Sequence, residues 1–203
     1  MLVVPPDWPE YRGEPLRLGV LASGKGSNFT AIVQAIGAGK LPAIVTGVVY
    51  NNPEAPVRER AKEAGVPCAL INHRDYPDRE SFDAAIVQTL QRWGAEWVIM
   101  AGWMRQATTV LLEPFGSRIL NIHPSLLPSF PGTRAVEQAL AAGVKITGCT
   151  VHRVILAVDQ GPIIAQAAVP VLPGDTVATL HARIQEQEHR LYPPAILWAA
   201  VQE

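Results

Sequence analysis

Two polar side chains close an apolar run, Asn121 and His123 in Leu120-Asn121-Ile122-His123-Pro124. Residues two apart on a strand face the same side, so an amide and an imidazole point together at whatever lies beyond the strand end. An amide can donate to a developing oxyanion and an imidazole can carry a proton. Pro124 and Pro128 follow and restrict the loop by fixing φ. The candidate carboxylate for this pair is Asp159, in the turn Val158-Asp159-Gln160-Gly161-Pro162. On local sequence, Asp159 reads equally as a turn-former bonded to its own backbone and as a site residue. His152 lies on an alternating stretch and could face the same site. A metal centre would ask for more ligands at short spacing, and no Gly-x-Ser-x-Gly elbow supports a nucleophilic serine.

A second constellation is Ser23-Gly24-Lys25-Gly26-Ser27-Asn28, between an apolar strand and a helical pattern. A helix N-terminus offers unpaired N–H groups and a positive dipole end to an anion. Gly24 and Gly26 let the backbone approach a phosphate, and Ser27 and Asn28 add side-chain donors. The dinucleotide fingerprint fails, because Phe29 stands where its third glycine belongs and Asn51-Asn52, not an acid, end the second strand. The Walker A spacing is absent too. The expected ligand is a monophosphate, and the alternative is a turn with a good helix cap.

The elements that position these groups follow from hydrophobic periodicity. Strands are predicted at Leu16–Ala22, Ile44–Tyr50, Val66–Ile71, Trp97–Ala101 and Ile119–Ile122. Between them, helices are predicted after Asn28, over Ala55–Ala64, over Phe82–Trp93 with Ser81 as cap, and over Thr108–Leu112. This alternation predicts an α/β, Rossmann-like, mostly parallel sheet with helices on both faces, whose ligands sit beyond the carboxyl ends of the strands. Three polar exits are expected to converge there: Ser23–Asn28, Gly102–Gln106 and Asn121–Pro128. After the central loop the pattern changes. A helix over Arg134–Ala142, a half-exposed strand over Ile146–Val154 and a strand over Ile163–Val171 predict an antiparallel C-terminal extension. A last helix is capped by Asp175 or Thr176, with Pro193-Pro194 expected to break or kink it.

Composition bounds the class. The chain has 203 residues, 48% apolar and 17% charged, which is enough for a sizeable core and too little charge for disorder. A net charge of −1 marks neither a nucleic-acid binder nor a membrane-surface binder. The apolar runs are too short to span a bilayer. Cys68 and Cys149 are distant and read as free thiols of a reducing cytoplasm. The proline-rich start lacks the basic and apolar regions of a signal peptide. Residues 1–15 are read as a loosely held extension, and 16–203 as one domain with a phosphate-binding half, 16–124, and a second half, 125–203, that carries Asp159.

Asn-Ile-His-Pro-Ser-Leu-Leu-Pro at 121–128 with Gly132, Ser23-Gly24-x-Gly26-Ser27-Asn28, Met100-Ala101-Gly102-Trp103-Met104-Arg105 and Asp159-x-Gly161-Pro162-Ile163 together resemble the signature of folate-dependent formyltransferases. The resemblance runs from about Leu16 to Ala199. It implies transfer of a formyl group from 10-formyltetrahydrofolate, as co-substrate and without a metal, to the amine of glycinamide ribonucleotide. The alternative is a formyltetrahydrofolate hydrolase. It also implies Asn121, His123 and Asp159 as the catalytic trio, with Gly26, Ser27 and Asn28 as the substrate-phosphate loop. Glu188 would be a further substrate contact, and Met104, Arg105, Gln106 and Ala107 the segment that binds the folate pterin. No nucleic-acid or membrane partner is implied, and a monomer or homodimer is expected. Val154–Val158, Thr133-Arg134 and Gln106-Ala107 depart from the family pattern.

Overall fold

The computed structural model describes residues 3–5 and 7–203. It has an α/β architecture, an eight-stranded, mostly parallel sheet with antiparallel strands on the C-terminal side. The chain divides into two compact units, one of Tyr11–Asn121 and one of Ile122–Glu203 with the N-terminal residues up to Glu10. The division falls inside one strand, between Asn121 and Ile122.

The first strand, β1 (Val3–Val4), belongs to the second unit. The Tyr11–Asn121 unit carries β2 (Leu16–Ala22), α1 (Ser27–Gly37), β3 (Ala43–Tyr50), α2 (Val57–Glu63) and β4 (Cys68–Leu70). It continues with α3 (Arg79–Arg92), β5 (Trp97–Met100), α4 (Thr109–Phe115) and the start of β6 (Ile119–His123). Strand β2 pairs in parallel with β3 and β5, β3 with β4, and β5 with the first residues of β6. Leu18, Val20, Val48 and Ile99 are fully buried, with Phe29, Ile32, Ile86 and Leu90 supplied by helices. Each such side chain contributes about 1.5–3 kcal/mol of burial.

Two local expectations change here. The third strand shrinks from Val66–Ile71 to Cys68–Leu70. Val66 donates instead to Ala61 at the end of α2, and Pro67 has no N–H to give. Helix α3 begins earlier than predicted, capped by Asp78 rather than Ser81, because the Asp78 carboxylate accepts the Ser81 N–H at 2.7 Å.

The second unit holds the end of β6, α5 (Ala135–Ala141), β7 (Ile146–Arg153), β8 (Ile163–Pro170) and α6 (Val177–Val201). Strands β7 and β8 pair antiparallel, and β1 adds to the far edge of β8. In the same N-terminal stretch, the carbonyl of Asp7 accepts the indole N–H of Trp198 at 2.9 Å. Strand β7, predicted half-exposed, is buried from Thr147 to His152. Its alternation of apolar and small polar residues hid this, since Thr147, Thr150 and His152 are buried as well.

Helix α6 is continuous through Pro193-Pro194, so of the predicted break or kink the break does not occur. Each proline removes an intrahelical hydrogen bond, a cost of about 3 kcal/mol in a helix interior. Leu191, Tyr192, Ala195, Ile196 and Leu197 around them are buried, and that apolar surface offsets the loss. At its start Thr176 and Thr179 form a reciprocal capping box.

Candidate functional site

In the second unit the predicted His123–Asp159 pair is brought together across 36 positions of sequence. Nδ1 of His123 lies 3.4 Å from Oδ2 of Asp159, and both side chains are more than nine-tenths buried. The backbone N–H of Gly132 donates to the same Oδ2 at 2.7 Å. The other oxygen, Oδ1, faces Nε2 of His152 at 3.5 Å. Asp159 itself sits at φ +55°, a left-handed conformation uncommon outside glycine, asparagine and aspartate. The turn that local sequence allowed is therefore present, and it delivers a site residue as well.

Burial alone would push the Asp159 carboxyl upward. The contact with His152, the Gly132 N–H and the neighbouring imidazoles outweigh it, and hold the carboxyl below its usual range. Asp159 is thus a carboxylate near neutrality, fitted to hold a protonated imidazole rather than to donate a proton itself.

Both nitrogens of His123 face protein oxygens. Nε2 stands 2.9 Å from the carbonyl of Phe130, so in this arrangement Nε2 carries the hydrogen. Phe130 lies in the loop that follows β6, and more than its prolines tether that loop. The Ser125 hydroxyl bonds the Ser129 carbonyl, and Thr150 of β7 donates to the Ser125 carbonyl at 2.7 Å while accepting the Leu127 N–H at 3.0 Å. Gln166 of β8 donates to the Leu127 carbonyl at 2.9 Å. Glu188 is buried on α6. Burial and the charge of Glu188 push the Cys149 thiol well above its ordinary range, so this free cysteine is unreactive.

In the first unit, Asn121 is half-buried on β6, two residues before His123. Gly26, Ser27 and Asn28 form the start of α1. Gly26 is its N-cap at φ +75°, and a Cβ there would meet Val57 Cγ2 at 2.5 Å. Glycine is needed on both counts, and no side chain caps the helix. A helix that starts on glycine with no side-chain cap presents its N-terminal, positive dipole end, the arrangement that favours phosphate.

Met104–Ala107 lies in the loop between β5 and α4, with the Met104 side chain exposed. Three ties hold it. The Met104 N–H donates to Ser23 Oγ at 2.9 Å, Arg79 donates to Gln106 Oε1 at 2.9 Å, and Asp83 accepts the N–H and hydroxyl of Thr108. Burial raises the Asp83 carboxyl despite those two bonds.

Sequence reasoning named His152 only as a possible neighbour, and it missed the Gly132 N–H and the Ser23 tie. The alternation of β7 carried the signal for His152; a backbone donor leaves none. Among the described residues, no group of three or more His, Cys, Asp or Glu could hold a metal ion. Nor, among them, is any helix long and apolar enough to cross a membrane.

Comparison with known proteins places these features in a family. Residues 16–196 match the formyl transferase family. A phosphoribosylglycinamide formyltransferase of Bacillus subtilis is 42% identical over 89% of this chain and 92% of its own. The crystal structure of glycinamide ribonucleotide transformylase 1 from Symbiobacterium toebii superposes with a TM-score of 0.89 at 50% identity, covering 91% of this chain and 87% of that one. The human trifunctional purine biosynthetic protein adenosine-3 is 44% identical over 92% of this chain, which spans only 18% of that protein's length.

Proposed function

The chain belongs to the formyl transferase family, and from that membership we propose that it moves the formyl group of 10-formyltetrahydrofolate onto the primary amine of glycinamide ribonucleotide, a step of purine synthesis. The observation that carries this reading is the buried His123–Asp159 pair, held by Gly132 and His152, in a chain that also builds an uncapped glycine-led helix start at Gly26–Asn28.

The neutral amine attacks the formyl carbon, forming a C–N bond and a tetrahedral intermediate. Charge develops on the formyl oxygen while the attacking nitrogen becomes positive. Asn121 and protonated His123 donate to that oxygen, and preorganised donors of this kind are worth about 3 kcal/mol each. His123 does so by exchanging one carbonyl acceptor, that of Phe130, for another. The exchange keeps the Nε2 hydrogen bonded and gives up its bond to the carbonyl of Phe130, a half-buried residue. Asp159 holds the imidazolium by charge and contact. The proton lost by the amine ends on the folate nitrogen as its bond to the formyl carbon breaks, which closes the balance without a covalent enzyme intermediate. Gly26, Ser27 and Asn28 receive the substrate phosphate, Glu188 contacts the same substrate, and Met104–Ala107 receives the pterin.

The test is formyl release from 10-formyltetrahydrofolate with and without glycinamide ribonucleotide. Turnover that requires the amine is the expected result. Turnover at equal rate without it would make the protein a hydrolase, and none at all would make it a binding module.

A further inference from the structure

One residue makes two hydrogen bonds between the exits of β2 and β5. The N–H of Ser23 donates to the carbonyl of Gly102 at 3.1 Å, and its hydroxyl oxygen accepts the N–H of Met104 at 2.9 Å. Ser23 immediately precedes Gly24 of the glycine-rich loop, and Met104 opens the segment that follows β5. Gly102 stands at φ +80°, a conformation that glycine enters and leaves freely. Trp103 is buried and stacked on Phe82, but Met104 after it is 67% exposed, so from Met104 on the segment is held by hydrogen bonds rather than by packing of Met104. The other ties to the segment come from α3, through Arg79 and Asp83, and bear on its later residues Gln106 and Thr108.

The geometry points to Ser23 as a positioning residue, which sets the Met104–Ala107 segment, and with it the formylated co-substrate, relative to the loop that receives the phosphate. This rests on the functional reading above. Transfer needs the amine of one ligand and the formyl carbon of the other within near-attack distance, and a small misplacement costs rate. A single serine, bonded through its N–H and its hydroxyl, fixes the second loop to the root of the first. Its hydroxyl touches neither ligand in this scheme; it acts through the Met104 amide.

The test is Ser23→Ala, read three ways. In the ligand-free protein, hydrogen exchange at the Met104 amide is expected to speed up by about tenfold, the loss of one neutral hydrogen bond. In the enzyme, KM for 10-formyltetrahydrofolate rises by about fivefold to tenfold on the same footing. KM for glycinamide ribonucleotide stays at its unsubstituted value, and the melting temperature falls by about 2–4 °C at most, the loss of one hydrogen bond in a chain of this size. A purely structural role would instead raise both KM values together, which overturns the proposal. Faster exchange with an unmoved folate KM overturns it as well, as does unmoved exchange. If the unsubstituted protein shows no amine-dependent transfer, the functional reading falls and this inference falls with it. If transfer is present, these outcomes judge Ser23 alone.

Discussion

Around Asp159 the groups that meet are buried polar side chains, and each contact depends on the identity of a few atoms. At Gly26–Asn28 the structure shows a backbone conformation, to which, under the proposed function, the Ser27 and Asn28 side chains add donors. Asp159 has an imidazole on each oxygen and a peptide N–H on one of them. Gly26 has a left-handed φ and Val57 packed where a side chain would go. Under the proposed function the first region makes and moves charge, and the second holds charge that the substrate already carries. Substitutions in the two should therefore fail differently, in kcat for the first and in substrate KM for the second.

The largest effects are expected from Asp159→Asn and Asn121→Ala. Each keeps the fold and lowers turnover by about a hundredfold or more. Near-normal turnover in both would erase the distinction between the regions. Gly26→Ala comes next. It strains a left-handed site and meets Val57, costing about 1–3 kcal/mol of stability and raising KM for glycinamide ribonucleotide. Thermal unfolding together with that KM checks it; an unchanged KM would mean the helix start holds no substrate. His152→Ala removes the chief contact that lowers the Asp159 carboxyl, so that carboxyl rises toward its ordinary range. Turnover should fall by about tenfold, less than for Asp159→Asn, and the acid limb of the pH–rate profile should move to higher pH.

The smallest effect is on acid stability. The folded Asp159 carboxyl lies below its unfolded value, so its contribution is present above about pH 4 and is lost as pH falls through the lowered folded value. Asp159→Asn should lose less stability between about pH 4 and pH 2 than the unsubstituted protein, as read from urea midpoints at each pH. Equal losses would show that Asp159 is not held in the folded state.

What was legible in the sequence divides along the same line. Strand β6 and its two polar residues announce themselves, because periodicity is local and Asn121 and His123 are two apart. The alternation of strands and helices is legible for the same reason. The glycine-led loop is legible because Gly26 serves a backbone conformation that few other residues adopt. The partnership of Asp159 is not legible from spacing. Its oxygens meet groups from 132, 123 and 152; the local turn made it a candidate no better than a turn-former, and resemblance to a family decided between the two. The burial of β7 was missed because its threonines and histidine look solvent-facing, although Thr150 bonds the loop after β6. Between a break and a continuous α6 the sequence does not decide, because a proline's cost is local, while the apolar burial that offsets it is tertiary.

The most direct test of the division of labour is one steady-state comparison of Asp159→Asn with the double variant Ser27→Ala/Asn28→Ala, each assayed for amine-dependent formyl transfer. The account predicts a collapse of kcat with little change in KM for glycinamide ribonucleotide in the first. In the second it predicts a raised KM for that substrate, with kcat and the folate KM retained. The same parameter failing in both, or a folate KM that rises as much as that of the phosphorylated substrate in the double variant, would contradict it.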